Sequence, residues 1–93
     1  MKSLFYMRTA EEFERYRRIK VSILAYAYEI LNKPVAFDHE FDDLCQKIDL
    51  SIDTDRPDLD KWFREEFSPH TGMWIHKHPE LEGIKKRHDQ FYI

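Results

Sequence analysis

The sequence predicts an all-α fold, a small single domain of about four helices built on a helical hairpin. Apolar residues recur at three- and four-residue intervals, capping residues and prolines divide the chain into helix-length pieces, and only two glycines are present. Ninety-three residues suit one core, which seven Phe, five Tyr and two Trp can fill. We therefore treat residues 1–93 as a single domain.

The first helix is predicted to start at Thr9 and to end before Pro34. Thr9 and Glu12 have the spacing of a capping box, in which the hydroxyl and the carboxylate satisfy free backbone N–H groups. Pro34 ends the helix because it disfavours helical angles in the residue before it. The apolar stripe of this helix is Phe13, Tyr16, Ile23, Leu24, Ala27, Ile30 and Leu31. The preceding segment 4–7 is short and apolar, which is typical of a strand fragment or an extended segment.

Three shorter helices are predicted after Pro34. Asp38 is the expected N-cap of the second, which packs on the first through Phe41, Leu44, Cys45 and Ile48. Pro57 lies in the first turn of the third, whose apolar face is Leu59, Trp62, Phe63 and Phe67. Pro79 opens the fourth, which carries Leu81 and Ile84. The apolar segment 73–75 between them fits a strand, a loop or a single helical turn.

Charge and cysteine content restrict the protein class. A net charge of -3 gives no overall field that would attract nucleic acid or anionic lipid. No apolar run approaches the roughly 20 residues that span a bilayer, so we expect no membrane association. Cys45 is the single cysteine, which fits a core thiol in a reducing compartment. The expected location is cytoplasmic.

Two neighbouring segments carry a family pattern. Residues 28–34 read Tyr-Glu-Ile-Leu-Asn-Lys-Pro, and residues 38–44 read Asp-His-Glu-Phe-Asp-Asp-Leu. This pattern resembles the small N-terminal helical domain of bacterial NAD-dependent DNA ligases, which has Tyr-His, a turn with Pro, then Asp-x-Glu-Tyr-Asp-x-Leu. Either residues 56–59 or residues 78–81 resemble the His-Pro-Glu-Leu of that family. Because the family's domain folds over the nicotinamide mononucleotide half of NAD, the resemblance implies NAD or nicotinamide mononucleotide as a ligand.

The resemblance implies a cofactor-binding set of Tyr28, Glu29, Asp38, Phe41 and Asp42. Glu29 stands where the family has His, and Phe41 where it has Tyr. Without the family, an aromatic from one helix and carboxylates from the next would still converge beside the turn, to stack a planar ring and accept hydrogen bonds from ribose hydroxyls. The simpler alternative explains Asp38 as a helix cap, Asp42 as part of a solvated first turn, and the two aromatics as core.

The ligases' adenylation motif, Lys-x-Asp-Gly, is absent, so we predict no catalytic residue and do not expect an enzyme. The expected function is a non-catalytic accessory or regulatory module, bacterial or phage in origin. Tyr28 would stack on the ligand, and Asp38 and Asp42 would accept hydrogen bonds. Arg15 or Arg18 would meet a phosphate if the first helix faces the pocket.

Two alternative functions stay open. The first is a protein-interaction module that binds no nucleotide, with Trp74 and Tyr92 in its contact surface, although a buried Trp74 is favoured for so small a chain. The second is a nucleotide-processing enzyme with a divalent ion among Asp38, Asp42 and Asp43.

Histidines and basic residues suggest two further sites, and neither is favoured. His70, His76, His78 and Cys45 include zinc-ligand types, but their spacing is not that of a zinc site, so no metal is predicted. The basic clusters 15–20 and 85–88 would contact nucleic acid only if the fold brings them together. For the first cluster, pairing with Glu11, Glu12 and Glu14 on a solvated face is the simpler explanation.

Overall fold

The first helix organises the fold, and the other helices pack around it. The computed structural model describes residues 9–92, so the extended segment predicted at 4–7 lies outside the described residues. Within this range the chain forms four α-helices and no strand: α1 (Ala10–Ala25), α2 (Asp38–Lys47), α3 (Pro57–Glu66) and α4 (Leu81–Tyr92). Both α2 and α4 pack on α1. The all-α prediction is confirmed, and no helix in this range is long and apolar enough to cross a membrane.

The predicted capping box is present at the start of α1. The backbone N–H of Glu12 donates to the Thr9 hydroxyl at 3.1 Å, and the Thr9 N–H donates to the Glu12 carboxylate at 3.0 Å. The end of the helix differs from the prediction of a regular helix. A π-helical turn, Tyr26–Ile30, follows α1, and the N–H of Leu31 donates to the carbonyl of Tyr26. Such a turn closes its hydrogen bonds over five residues instead of the four of an α-helix.

The other helix starts follow the sequence signals with two corrections. Pro57 is the first residue of α3, as predicted. Asp38, however, is not the N-cap of α2: Phe37 has that position, and no side chain caps the helix. Pro79 precedes α4 by two residues instead of opening it. The apolar segment 73–75 is part of a 3₁₀ helix, Met73–Lys77.

The core lies between α1, α2, α3 and the 3₁₀ helix, with α4 closing one side. Its buried apolar residues are Val21, Ile23, Leu24, Ala25, Tyr26, Ala27, Cys45, Phe63, Trp74, Ile75 and Ile84. The apolar stripe predicted for α2 belongs to the core or packs against it, and so do three residues of the α3 stripe, Trp62, Phe63 and Phe67. Leu59, the fourth residue of the α3 stripe, is half-buried outside this cluster. Trp74 is 4% exposed and donates from its indole N–H to the Thr71 carbonyl at 2.7 Å, so it belongs to the core and not to a contact surface.

In the first half of α1 two charged residues are buried, and two apolar residues that the sequence predicts to be buried are exposed. Phe13 and Tyr16, predicted for the inward stripe, are 46% and 53% exposed. Glu14 and Arg18, predicted for a solvated face, are 0% and 4% exposed. Their side chains pair at 2.8 Å, so the predicted i,i+4 pair exists in the interior and not at the surface.

A third charged residue completes this buried network and ties α3 to α1. The Arg18 guanidinium donates to the Asp60 carboxylate at 2.7 Å and to the carbonyls of Asp49 and Ile52. Asp60 also accepts hydrogen bonds from the backbone and the hydroxyl of Thr54. Burial pushes the pKa of Asp60 upward, but these hydrogen bonds and the charge of Arg18 hold it below its usual value. Asp60 therefore keeps its charge in the folded protein.

Candidate functional site

The five residues predicted to bind a cofactor line one cavity of about 310 Å³, here called the first cavity. Tyr28 and Glu29 come from the π-helical turn, and Asp38, Phe41 and Asp42 come from α2. Further residues complete the wall: Leu24, Pro34, Ala36, His70, Thr71 and Gly72. The fold thus brings together two segments that the turn at Pro34 separates in the sequence.

Local helix geometry positions these side chains. Asp38 and Asp42 are four residues apart on α2, which places them on the same face one turn from each other. Phe41 is half-buried and packs against the core, so it forms an apolar part of the cavity lining on the core side. Tyr28 is 51% exposed, which excludes the explanation that it is simply a core residue. Its ring is accessible to a ligand.

The carboxylates of the first cavity have no partners inside the described part of the chain. No hydrogen bond or ion pair within residues 9–92 engages the side chains of Glu29, Asp38 or Asp42. Capping therefore does not explain Asp38. Three carboxylates facing one cavity create a negative potential there, which favours a cation and hydrogen-bond donors such as hydroxyl and amide groups.

Gly72 lets the wall segment 70–72 approach the π-helical turn closely. A β-carbon at residue 72 would lie 3.2 Å from Cγ of Glu29 and 3.5 Å from Cβ of Ala25. The backbone of Gly72 itself has φ -102°, so the steric approach and not an unusual dihedral makes glycine suitable. His70, Thr71 and Gly72 were not predicted as parts of this wall, because they follow α3 and lie far from the ligase-like pattern in the sequence.

The predicted phosphate contact from α1 is wrong for this cavity. Arg15 and Arg18 line a second cavity, of about 240 Å³, between α1, α3 and α4. Arg87, from the second basic cluster, lines the same cavity. The fold therefore joins one residue of the C-terminal cluster to two residues of the first cluster, which the sequence alone left open.

The metal-binding alternative finds no support among the described residues. No three side chains of His, Cys, Asp or Glu within residues 9–92 form a group that could hold a metal ion. Asp38 and Asp42 line the first cavity, but Asp43 does not. Cys45 is 1% exposed, and burial together with the charge of Asp42 raises the pKa of its thiol to about 11. It is a protonated core thiol.

Comparisons with known proteins add no family assignment. No protein-family model matches the sequence, and neither the curated proteins nor the solved structures contain a significant match. The resemblance to the ligase domain stays a prediction from the motif in residues 28–44.

Proposed function

We propose that this protein is a non-catalytic recognition module that binds the nicotinamide mononucleotide portion of NAD, or nicotinamide mononucleotide itself, in the first cavity. One observation carries the proposal: the five residues of the ligase-like motif line a single cavity, and its three carboxylates are unpaired within the described residues. The π-helical turn gives further support, since such turns occur frequently at functional sites.

The charge of the first cavity matches the nicotinamide end of this ligand. The ring joined to ribose is a planar cation in NAD and in nicotinamide mononucleotide. The accessible ring of Tyr28 offers it a stacking and cation–π surface, and Phe41 offers an apolar floor. The carboxylates of Glu29, Asp38 and Asp42 favour the positive ring over a neutral one.

The carboxylates also determine how the rest of the ligand lies. Asp38 and Asp42, one turn apart, accept hydrogen bonds from the ribose hydroxyls. Glu29, in place of the family's His, accepts from the carboxamide nitrogen. The ligand phosphate points out of the cavity, because three negative groups repel it.

Calorimetric titration of nicotinamide mononucleotide tests this proposal with a matched pair of variants. Asp42→Asn removes a charged acceptor that lines the cavity, whereas Asp43→Asn makes the same change at the next, exposed position outside it. Loss of a charge-assisted hydrogen bond predicts about 10- to 100-fold weaker binding for Asp42→Asn. The Asp43→Asn variant should bind like the parent protein.

A second ligand tests the role of charge. Nicotinic acid mononucleotide replaces the carboxamide by a carboxylate, which the acidic cavity should reject. We expect clearly weaker binding of this analogue. Equal affinity for both ligands, equal losses in the two variants, or no heat of binding at millimolar nicotinamide mononucleotide would contradict the proposed function.

A further inference from the structure

The second cavity gathers guanidinium groups from three parts of an otherwise acidic chain. Arg15 and Arg18 come from α1, Arg56 from the residue before α3, and Arg87 from α4. The whole protein carries a net charge of -3, so this concentration is local. Leu59, Phe63 and Ile84 supply apolar surface beside it.

Two of the four guanidinium groups keep an uncompensated charge. Arg18 is neutralised by its buried carboxylate partners, and Arg56 pairs with Asp58 and with Glu80, which also lines the cavity. Arg15 instead donates to the uncharged carbonyl of Thr54 at 2.6 Å. Arg87 has no ion pair or hydrogen bond from its side chain to any of residues 9–92. Arg15 and Arg87 are therefore the two cations of the cavity that no carboxylate pairs with, whereas Arg18 and Arg56 each face two carboxylates.

His78 adds a neutral donor to these cations. It is 8% exposed, and its Nδ1 accepts a hydrogen bond from the Glu80 N–H at 3.0 Å, so the ring proton is on Nε2. Burial lowers the pKa of His78 to about 4, which keeps the imidazole uncharged at neutral pH. Nε2 has no hydrogen-bond partner within the described residues, although the side chain lines the cavity and is more than nine-tenths buried. A buried donor without an acceptor is unusual and indicates a missing partner.

We propose that the second cavity binds a small phosphate-bearing anion, with Arg15 and Arg87 neutralising its charge and the Nε2–H of His78 donating a hydrogen bond to it. Guanidinium groups match phosphate oxygens in geometry and charge. The limited volume, about 240 Å³, suits a phosphate or pyrophosphate group with a small attached moiety.

This site is separate from the first cavity. Along α1, Ser22 lines the second cavity and Leu24 the first, and at about 100° per residue these positions lie roughly 200° apart around the helix. A single nicotinamide mononucleotide cannot occupy both faces of α1. The inference therefore does not depend on the proposed function, and either one can fail alone.

Titration of inorganic pyrophosphate into the protein, with amide chemical shifts recorded by NMR, tests the second site. Shifts are expected near Ser22, Thr54 and Gly83, which line the second cavity, and not near Tyr28 or Asp42. Sodium chloride at matched ionic strength controls for a general salt effect, which would produce shifts without saturation. Titration of a nucleoside diphosphate shows whether the site prefers a free anion or one attached to a larger molecule.

A matched pair of variants tests whether Arg87 contributes to pyrophosphate binding. Arg87→Gln removes the unpaired guanidinium, whereas Lys86→Gln removes one positive charge from the adjacent exposed residue outside the cavity. Arg87→Gln should weaken pyrophosphate binding about 10- to 100-fold, the value of one charge-assisted hydrogen bond. Lys86→Gln should change it less than about twofold, in line with a screened surface charge. Both side chains are exposed, so thermal melts should show two folded variants.

Three results would overturn the proposal. One is the absence of saturable binding at about 10 mM pyrophosphate, and another is an equal loss of affinity in the two variants. The third is far tighter binding of a single-stranded oligonucleotide with shifts extending over Lys85, Lys86 and Lys20, which would instead indicate a nucleic-acid surface.

Discussion

The backbone of Gly72 packs against the side chain of Glu29 so closely that a β-carbon at residue 72 would lie 3.2 Å from Glu29 Cγ. Replacing glycine by alanine ordinarily stabilises a protein by about 0.4–1 kcal/mol when the site can accept the methyl group. In Gly72→Ala this gain should be offset, because Glu29 must move by a few tenths of an ångström. We expect a melting temperature at or below that of the parent protein.

Gly83→Ala is the matched substitution at the other glycine. Gly83 lies in α4, and a β-carbon there would meet no atom within 4 Å. Alanine should therefore stabilise the helix by about 0.5–1 kcal/mol. Equal stabilisation by the two substitutions in thermal melts would show that the Gly72–Glu29 contact does not constrain this wall.

Removing the central cation of the buried network should strongly destabilise the fold. Arg18→Met leaves the carboxylates of Glu14 and Asp60 without their shared partner, and both are at most 2% exposed. Breaking a buried ion pair in this way costs about 3–5 kcal/mol. Urea unfolding followed by circular dichroism measures the loss.

The control for this prediction is Arg64→Met, which removes a surface ion pair with Asp53. Its two side chains are 43% and 83% exposed, so the expected loss is roughly 0–1 kcal/mol. A loss of similar size in Arg18→Met would mean that the buried network contributes little to stability.

Local signals in the sequence were sufficient for most of the fold. The capping box of Thr9 and Glu12, the position of Pro57 and the apolar stripe of α2 each depend on residues a few positions apart. The convergence of Tyr28 and Asp42 on one cavity was also predictable, because a single turn joins their helices.

Long-range partners could not be read from the sequence. Glu14 and Arg18 have the spacing of a surface pair, and only the contact with Asp60, 42 residues from Arg18, brings them into the interior. Their inward position rotates Phe13 and Tyr16 outward. The second cavity escaped prediction for the same reason, since Arg15 and Arg87 meet only through the packing of α4 on α1.

Acidification should destabilise the protein through His78. The folded protein keeps this imidazole neutral down to a pKa of about 4, whereas the unfolded chain protonates it near pH 6.5. Between pH 6.5 and pH 4 the unfolded chain binds one more proton than the folded protein. The free energy of unfolding therefore decreases as the pH falls through this window. Between pH 6.5 and pH 5 the free energy of unfolding should drop by roughly 1.5 kcal/mol.

His78→Phe and His76→Phe distinguish this effect from other titrations. His78 is packed among aromatic rings, with Trp62 at 4.8 Å between centroids, so phenylalanine fits its surroundings. His76 is exposed two residues away. The pH dependence in this window should vanish in His78→Phe and persist in His76→Phe. Persistence in both would assign it to another group.

Cys45 should resist alkylation in the folded state. Its thiol is 1% exposed, and its pKa of about 11 leaves little thiolate at pH 8. Mass spectrometry after treatment with iodoacetamide should find the thiol unmodified in buffer and fully modified in concentrated urea. Rapid modification of the native protein would contradict the burial of the Cys45 side chain in the core.

The most direct test of nicotinamide recognition is an intermolecular nuclear Overhauser experiment on the protein with nicotinamide mononucleotide. We expect contacts from the nicotinamide ring protons to the ring protons of Tyr28 and Phe41, and from the ribose protons to Asp38 and Asp42 of α2. Saturable binding with contacts only to other surfaces, or no contact between the ligand and Tyr28 at saturation, would contradict it.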